Sequence, residues 1–138
     1  MTQTSGTSGV DIDLYISGLR PFSKHGIHIH EFADLRDQCN ATGAHYNPTG
    51  SAHGGRNSSV RHLGDLGNLE ANQNGISIEN WKGVDMDLTG PFSILGRSCV
   101  IHKNEDDMGQ GTTNVEQSMK NGNTGLRIGC GVVGWVPQ

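Results

Sequence analysis

The chain has 138 residues, with 33% apolar, 5% aromatic and 17% charged residues, 21 glycines, seven histidines and a formal net charge of −4. That length sets a prior of one domain, while the low charge content and acidic balance exclude a highly charged disordered tail and a basic nucleic-acid-binding face. Glycines this frequent would each cost about 1 kcal/mol inside helices, and no stretch is apolar enough to span a bilayer as a helix; a loop-rich all-β domain is expected.

Residues 1–9 are rich in Ser, Thr and Gly and read as a flexible lead-in, without the basic region and apolar run of a signal peptide. Val10, Ile12, Leu14 and Ile16 then alternate with Asp11, Asp13, Tyr15 and Ser17, the period of a half-buried strand. Residues 25–32 form a second alternating stretch. Residues 33–64 are a long irregular loop, a length that usually carries function in a compact domain. A short strand is expected over 66–71, followed by an Asn74-Gly75 turn. Further strands are expected over 76–81 and 84–88, before Gly90-Pro91 breaks the chain. Residues 97–102 read as a strand, 103–125 as a second long polar loop and 126–136 as the last strand. No helix longer than a turn or two is expected. Short strands carrying two long loops imply an antiparallel sandwich or barrel, with its functional residues in the loops.

Apolar content is thin for the length, so a metal ion or a disulfide is expected to add stability. Three cysteines allow at most one intrachain pair. Cys99 lies in the apolar run Ser98-Cys99-Val100-Ile101 and reads as a buried small apolar side chain. Cys39 and Cys130 remain as candidate partners, and a bridge between them would favour an oxidising compartment.

The histidines carry the chemistry. His28 and His30 lie two apart in a strand-like run, so both imidazoles face one side and can reach one ion. The first long loop supplies His45, His53 and His62, with Asp65 just beyond. Three imidazoles and a carboxylate suit a closed, zinc-like site. His102 ends an apolar run; joined with His28 and His30 it makes an all-imidazole set suited to copper. The plainer readings are solvated histidines on an exposed face, a polar loop that happens to hold them, and a structural His102. Spacing leaves open which histidine serves which ion.

The motifs that follow narrow the choice. They are Gly26-Ile-His-Ile-His-Glu-Phe32, Gly43-Ala-His-Tyr-Asn-Pro48, Ala52-His-Gly-Gly55 and Arg61-His-Leu-Gly-Asp-Leu-Gly-Asn68. Gly96-Arg-Ser-Cys-Val-Ile-His102, Asp106-Asp-Met-Gly109 and Gly122-Asn-Thr-Gly-Leu-Arg-Ile-Gly-Cys-Gly131 continue the series. In this order, from about Val10 to the C-terminus, the chain resembles the copper/zinc superoxide dismutase family. The resemblance implies a Greek-key β-barrel or sandwich. It implies copper on His28, His30, His45 and His102, and zinc on His45, His53, His62 and Asp65, with His45 as a bridging imidazolate. Asp106 matches the carboxylate that links a copper ligand to a zinc ligand, Arg127 the active-site arginine, Cys39 and Cys130 the family disulfide, and His25 a structural histidine.

The same resemblance implies an enzyme that converts superoxide anion to oxygen and hydrogen peroxide, with copper and zinc as cofactors. The alternative is a non-catalytic metal-binding or structural relative. A homodimer formed around Phe32, the Gly96 region and the last strand is expected, with no nucleic-acid partner. Asp34-Leu35, Thr42-Gly-Ala-His-Tyr-Asn-Pro48, Glu105-Asp-Asp-Met-Gly109 and Lys120-Asn-Gly-Asn-Thr-Gly125 resemble the extracellular branch, against a cytoplasmic alternative. Two strands of the family normally precede the one starting near Val10. One domain over 10–138, a barrel lacking its first two strands, is therefore expected.

Overall fold

A computed structural model describes residues 1–4 and 9–136. These residues contain six strands: β1 (Val10–Ile16), β2 (Lys24–His30), β3 (Asp65–Glu70), β4 (Ser77–Val84), β5 (Ser98–His102) and β6 (Arg127–Val132). An α-helix, α1 (Val115–Asn121), lies between β5 and β6, and a short 3-10 turn spans Asn40–Thr42. All strand pairs are antiparallel. β1 pairs with β4 in one sheet, and the other runs in the order β3-β2-β5-β6. The architecture is the expected all-β sandwich.

The alternation in β1 has its predicted effect: Val10 and Ile12 are fully buried while Asp13 and Tyr15 are exposed. Val10 and Ile12 from one sheet meet Ile27, Ile29, Leu66 and Leu69 from the other, and Met86, Leu88 and Ile94 close the core. β4 departs from expectation. It runs on to Val84, and 84–88 forms no strand of its own. Val10 pairs with Val84 and Ile12 with Trp81, so β4 carries one extra residue in a bulge, and Gly83 takes its positive φ of 59°. Past the bulge the chain turns inward and buries Met86 and Leu88 in the core.

The last strand is also shorter than expected and ends at Val132, because Val133 exchanges backbone bonds with Arg97 and Gly96 at the turn before β5. Within the second long loop, Asn114 accepts a hydrogen bond from the Gln117 amide and Gly122 closes the helix in the left-handed conformation, which nucleates the two turns of α1. Residues 5–8 of the expected lead-in lie outside the described residues. Of the remainder, Thr2 exchanges two backbone hydrogen bonds with Asp11, at 2.7 and 2.8 Å. No helix among the described residues is long and apolar enough to cross a membrane.

Candidate metal centre

β2 is buried on both faces after its first residue. Ile27 and Ile29 enter the core, so the period of two sends His28 and His30 to the opposite side. There, His28 lies opposite Val100 and His30 opposite Ser98 on β5. His102, two residues beyond Val100, shares their face. All three imidazoles are buried.

Hydrogen bonds fix which nitrogen of each ring carries a proton. His30 donates from Nδ1 to the Gly43 carbonyl at 2.9 Å, and His102 from Nδ1 to the Gly125 carbonyl at 3.2 Å. His28 donates from Nε2 to Asp106 Oδ2 at 2.7 Å. The lone pairs left over converge. The Nε2 atoms of His30 and His102 lie 3.2 Å apart, and His28 Nδ1 and His45 Nε2 are buried without a partner. One ligand atom from each of these four histidines lies within 4.8 Å of all the others. Bare lone pairs aimed at one another in a buried space repel, and a cation removes that cost. Four imidazoles fit copper.

A second cluster meets the first at His45. Asp65, the first residue of β3, places Oδ1 2.9 Å from His45 Nδ1 and 3.2 Å from His62 Nδ1, with Oδ2 3.0 Å from His53 Nδ1. His62 Nδ1 and His45 Nδ1 lie 3.3 Å apart. His53 Nδ1 forms no well-directed hydrogen bond despite its distance to Asp65. Donor atoms of His45, His53 and Asp65 lie within 4.8 Å of one another, with His28 as the fourth member of that group; His62 stands outside it and reaches it through Asp65 Oδ1 and His45 Nδ1. Imidazoles and a carboxylate are the donor types of a closed zinc site. Backbone amides of Gly54 and His62 donate to Asp65 Oδ2 and hold the loop around it.

Asp106 ties the clusters together. Its Oδ2 accepts from His28 and its Oδ1 from His53 Nε2 at 2.8 Å, so one carboxylate orients a histidine on each side. The backbone of Asp106 is held in turn by the Asn68 side chain, which donates to its carbonyl at 2.9 Å and accepts from its amide at 2.7 Å. Sequence reasoning missed Asn68; an amide inside Gly64-Asp-Leu-Gly-Asn68 carries no chemical signal by itself. Gly122 packs against the same carboxylate, where a β-carbon would run into Asp106 and the His53 ring. His25 lies apart from both clusters, bonding Ser23 Oγ at 2.7 Å and the His102 carbonyl at 2.8 Å.

The two clusters differ in charge state. Burial, reinforced by neighbouring histidines, pushes His28 down to about 3, His30 to about 2 and His102 to about 4. Burial also lowers His45. His53 goes the other way: burial opposes its protonation, but the hydrogen bond to Asp106 and the Asp65 carboxylate 3.0 Å away outweigh burial and lift it to about 9. The same contacts overcome burial and hold Asp106 down at about 2 and Asp65 well below the usual carboxylate range.

Arg127 sits at the first residue of β6. Its guanidinium donates to the carbonyls of Cys39 and Asn40, to Thr42 Oγ1 and, at 2.6 Å, to the Gly43 carbonyl. That last oxygen is also the one His30 bonds. The disulfide between Cys39 and Cys130 ties the same loop to β6. Cys99 is the free cysteine; it packs against the core, and burial pushes its thiol up to about 12.

Comparison with known proteins agrees with this geometry. The family model described as copper/zinc superoxide dismutase (SODC) matches residues 1–133. An extracellular superoxide dismutase [Cu-Zn] of Onchocerca volvulus is 47% identical over 96% of this chain and 66% of its own. A superoxide dismutase [Cu-Zn] of Paramecium bursaria Chlorella virus 1 is 46% identical over 96% of this chain and 70% of its own. For the Saccharomyces cerevisiae superoxide dismutase [Cu-Zn] the figures are 42%, 96% and 84%. The chain spans just under two thirds of the first relative and more of the others. It belongs to the copper/zinc superoxide dismutase family.

Proposed function

We propose that the chain dismutes superoxide, turning two superoxide anions and two protons into oxygen and hydrogen peroxide. The observation that carries the reading is the convergence of four bare imidazole nitrogens beside a second cluster that shares His45. His28 Nδ1, His30 Nε2, His45 Nε2 and His102 Nε2 would hold copper. His45 Nδ1, His53, His62 and Asp65 would hold zinc. Bound there, copper would supply the one-electron exchange between the two superoxide anions.

The chain's own residues do the rest. His45, held through Nδ1 toward Asp65, keeps Nε2 aimed at the copper cluster, where this atom takes up a proton in one half-reaction and gives it to the reduced oxygen in the other. Asp106 keeps His28 and His53 in the tautomers that leave Nδ1 free. Arg127, its guanidinium fixed by four acceptors, offers positive charge and N–H donors to the incoming anion. The Cys39–Cys130 bridge holds the loop that carries all four of those acceptors. Residues 10–138 are read as one catalytic domain.

Metal content and dismutase activity measured on the same copper- and zinc-loaded sample test this reading. Activity proportional to copper occupancy supports it. No activity with both sites filled would overturn it in favour of a non-catalytic metal-binding relative. Arg127→Glu is expected to slow turnover and weaken its salt dependence with both metals retained. A homodimer through the exposed Phe32, the Gly96 turn and the exposed Trp135 belongs to the same proposal, and light scattering at micromolar concentration tests it. An extracellular location is part of the same proposal, supported by the extracellular relatives from Onchocerca volvulus and Drosophila melanogaster, each 47% identical.

A further inference from the structure

The segment that joins His53 to His62 leaves the metal centre and returns to it by way of the protein surface. Between this segment and β4 lies a cleft of about 600 Å³. Arg56, Asn57, Ser58 and Ser59 line one wall, and Trp81 and Lys82 the other, with Arg61 between them. Its polar groups are mostly donors. The Arg56 guanidinium lies 3.9 Å over the Trp81 ring, and Nη1 donates to the Leu66 carbonyl. Its Nε and Nη2 have no protein hydrogen bond among the described residues. Ser58 Oγ accepts from the Gly55 amide, so its own proton is available to the cleft. Asn57 and Ser59 are exposed. Lys82 reaches Asp11 at 3.3 Å on a largely exposed side chain.

Three cations therefore face one carboxylate lining the cleft, Asp85, whose side chain is 93% exposed and stands 3.9 Å from Arg61. Of the other acids nearby, Glu79 accepts from Trp81 Nε1 and acts on Arg56 from the neighbouring cleft, which Arg56 also lines, while Asp11 is engaged by Lys82 and Asp13 by Asn80. Arg61 is rigid. It donates to the carbonyls of His62, Leu63, Asp65 and Asp85, which makes it a strut from the cleft floor to two residues of the zinc-side cluster.

We propose that this cleft binds a tetrahedral oxyanion, phosphate or sulfate, between Arg56 and Lys82, and that the bound anion clamps the His53–His62 segment against β4. A guanidinium presenting free N–H groups, an ammonium and two serine hydroxyls match the several acceptor oxygens and the charge of such an anion. Because the segment begins and ends on zinc-side histidines, ordering it slows the opening through which zinc escapes. This second half rests on the assignment of His53 and His62 to zinc; the binding itself does not.

Calorimetric titration of the metal-loaded protein with sodium sulfate, and separately with inorganic phosphate, tests the site. One anion per chain is expected in both arms. Arg56→Gln should weaken binding by about tenfold or more, the loss of one charge-assisted contact. Lys82→Gln, on an exposed side chain that leaves the Arg56–Trp81 packing intact, should weaken it about threefold. Arg127→Gln should leave this binding in place. Unchanged affinity in both cleft variants, or loss of binding in Arg127→Gln, overturns the site. Zinc release to an excess of chelator, followed with and without saturating sulfate, tests the clamp. Slower release in the wild type and no sulfate effect in Arg56→Gln is expected. Equal release rates with sulfate bound overturn the clamp alone, whereas failure to retain zinc at all would instead count against the metal assignment.

Discussion

The two halves of the metal centre are built from different materials. His28, His30 and His102 stand on β2 and β5, where a ladder of backbone hydrogen bonds fixes each ring before any ion arrives. His53 and His62 ride on an irregular loop whose shape depends on Asp65, Asp106, Arg61 and the Cys39–Cys130 bridge. Their protonation differs in the same sense. The strand-borne rings are held neutral by burial, with lone pairs turned inward. On the loop, His53 is held protonated between two carboxylates, a positive charge in the place where a cation would bind. The strand side is ready for a metal; the loop side must release a proton and tighten first.

The sharpest way to break this contrast is to remove one strand-borne ligand. His102→Ala should drop activity to background while zinc stays bound, measured by metal analysis beside the assay. Loss of zinc with copper retained would reverse the assignment of the two halves. Next comes the bridge. Replacing Cys39 and Cys130 together by serine opens a cross-link between residues 91 apart in sequence and should cost about 4–5 kcal/mol by the chain-entropy argument, read by denaturant unfolding. Zinc affinity should fall more than copper affinity in that variant, because the bridge anchors the loop and not the β2–β5 ladder. Asp106→Asn acts on both halves and should weaken metal binding about 10- to 100-fold, read by competition with a chelator.

The same division explains what could be read from the sequence. The strand-borne site was legible because the period of two is a local rule. His28 and His30, two apart in a strand-like run, had to share a face. The loop site was legible as a set of residue types, but spacing alone could not sort its histidines between two ions; that took the resemblance of the ordered motifs. The hold of Asn68 on Asp106 spans 38 residues and depends on how the second loop folds back over β3. The extension of β4 through Val84 was hidden because Gly83 reads as a breaker in one dimension and acts as a bulge in the sheet. α1 had its signals, Asn114 and Gly122, but at seven residues it was too short to stand out in a polar loop.

The mildest perturbation, pH, separates the halves without changing a residue. In the metal-free protein His53 holds its proton up to about 9, and zinc must displace it. Zinc affinity should therefore rise about tenfold per pH unit up to that point, one proton leaving for each ion bound. His28, His30 and His102 have no proton to lose above about 4, so they add no slope to copper affinity across neutral pH. Stability of the metal-free fold follows the same groups. Below the unfolded histidine value of 6.5, the unfolded chain takes up protons that the three strand-borne rings refuse, so stability falls on acidification. Above 6.5 the folded chain keeps a proton on His53 that the unfolded chain has lost, so the contribution of His53 fades as pH climbs toward 9. The metal-free protein should be most stable near pH 6.5, measured by thermal unfolding across a pH series. A zinc affinity that stays level from pH 6 to 9 would show that the loop cluster, like the strand cluster, is neutral before metal arrives, and would remove the difference in charge between the two halves.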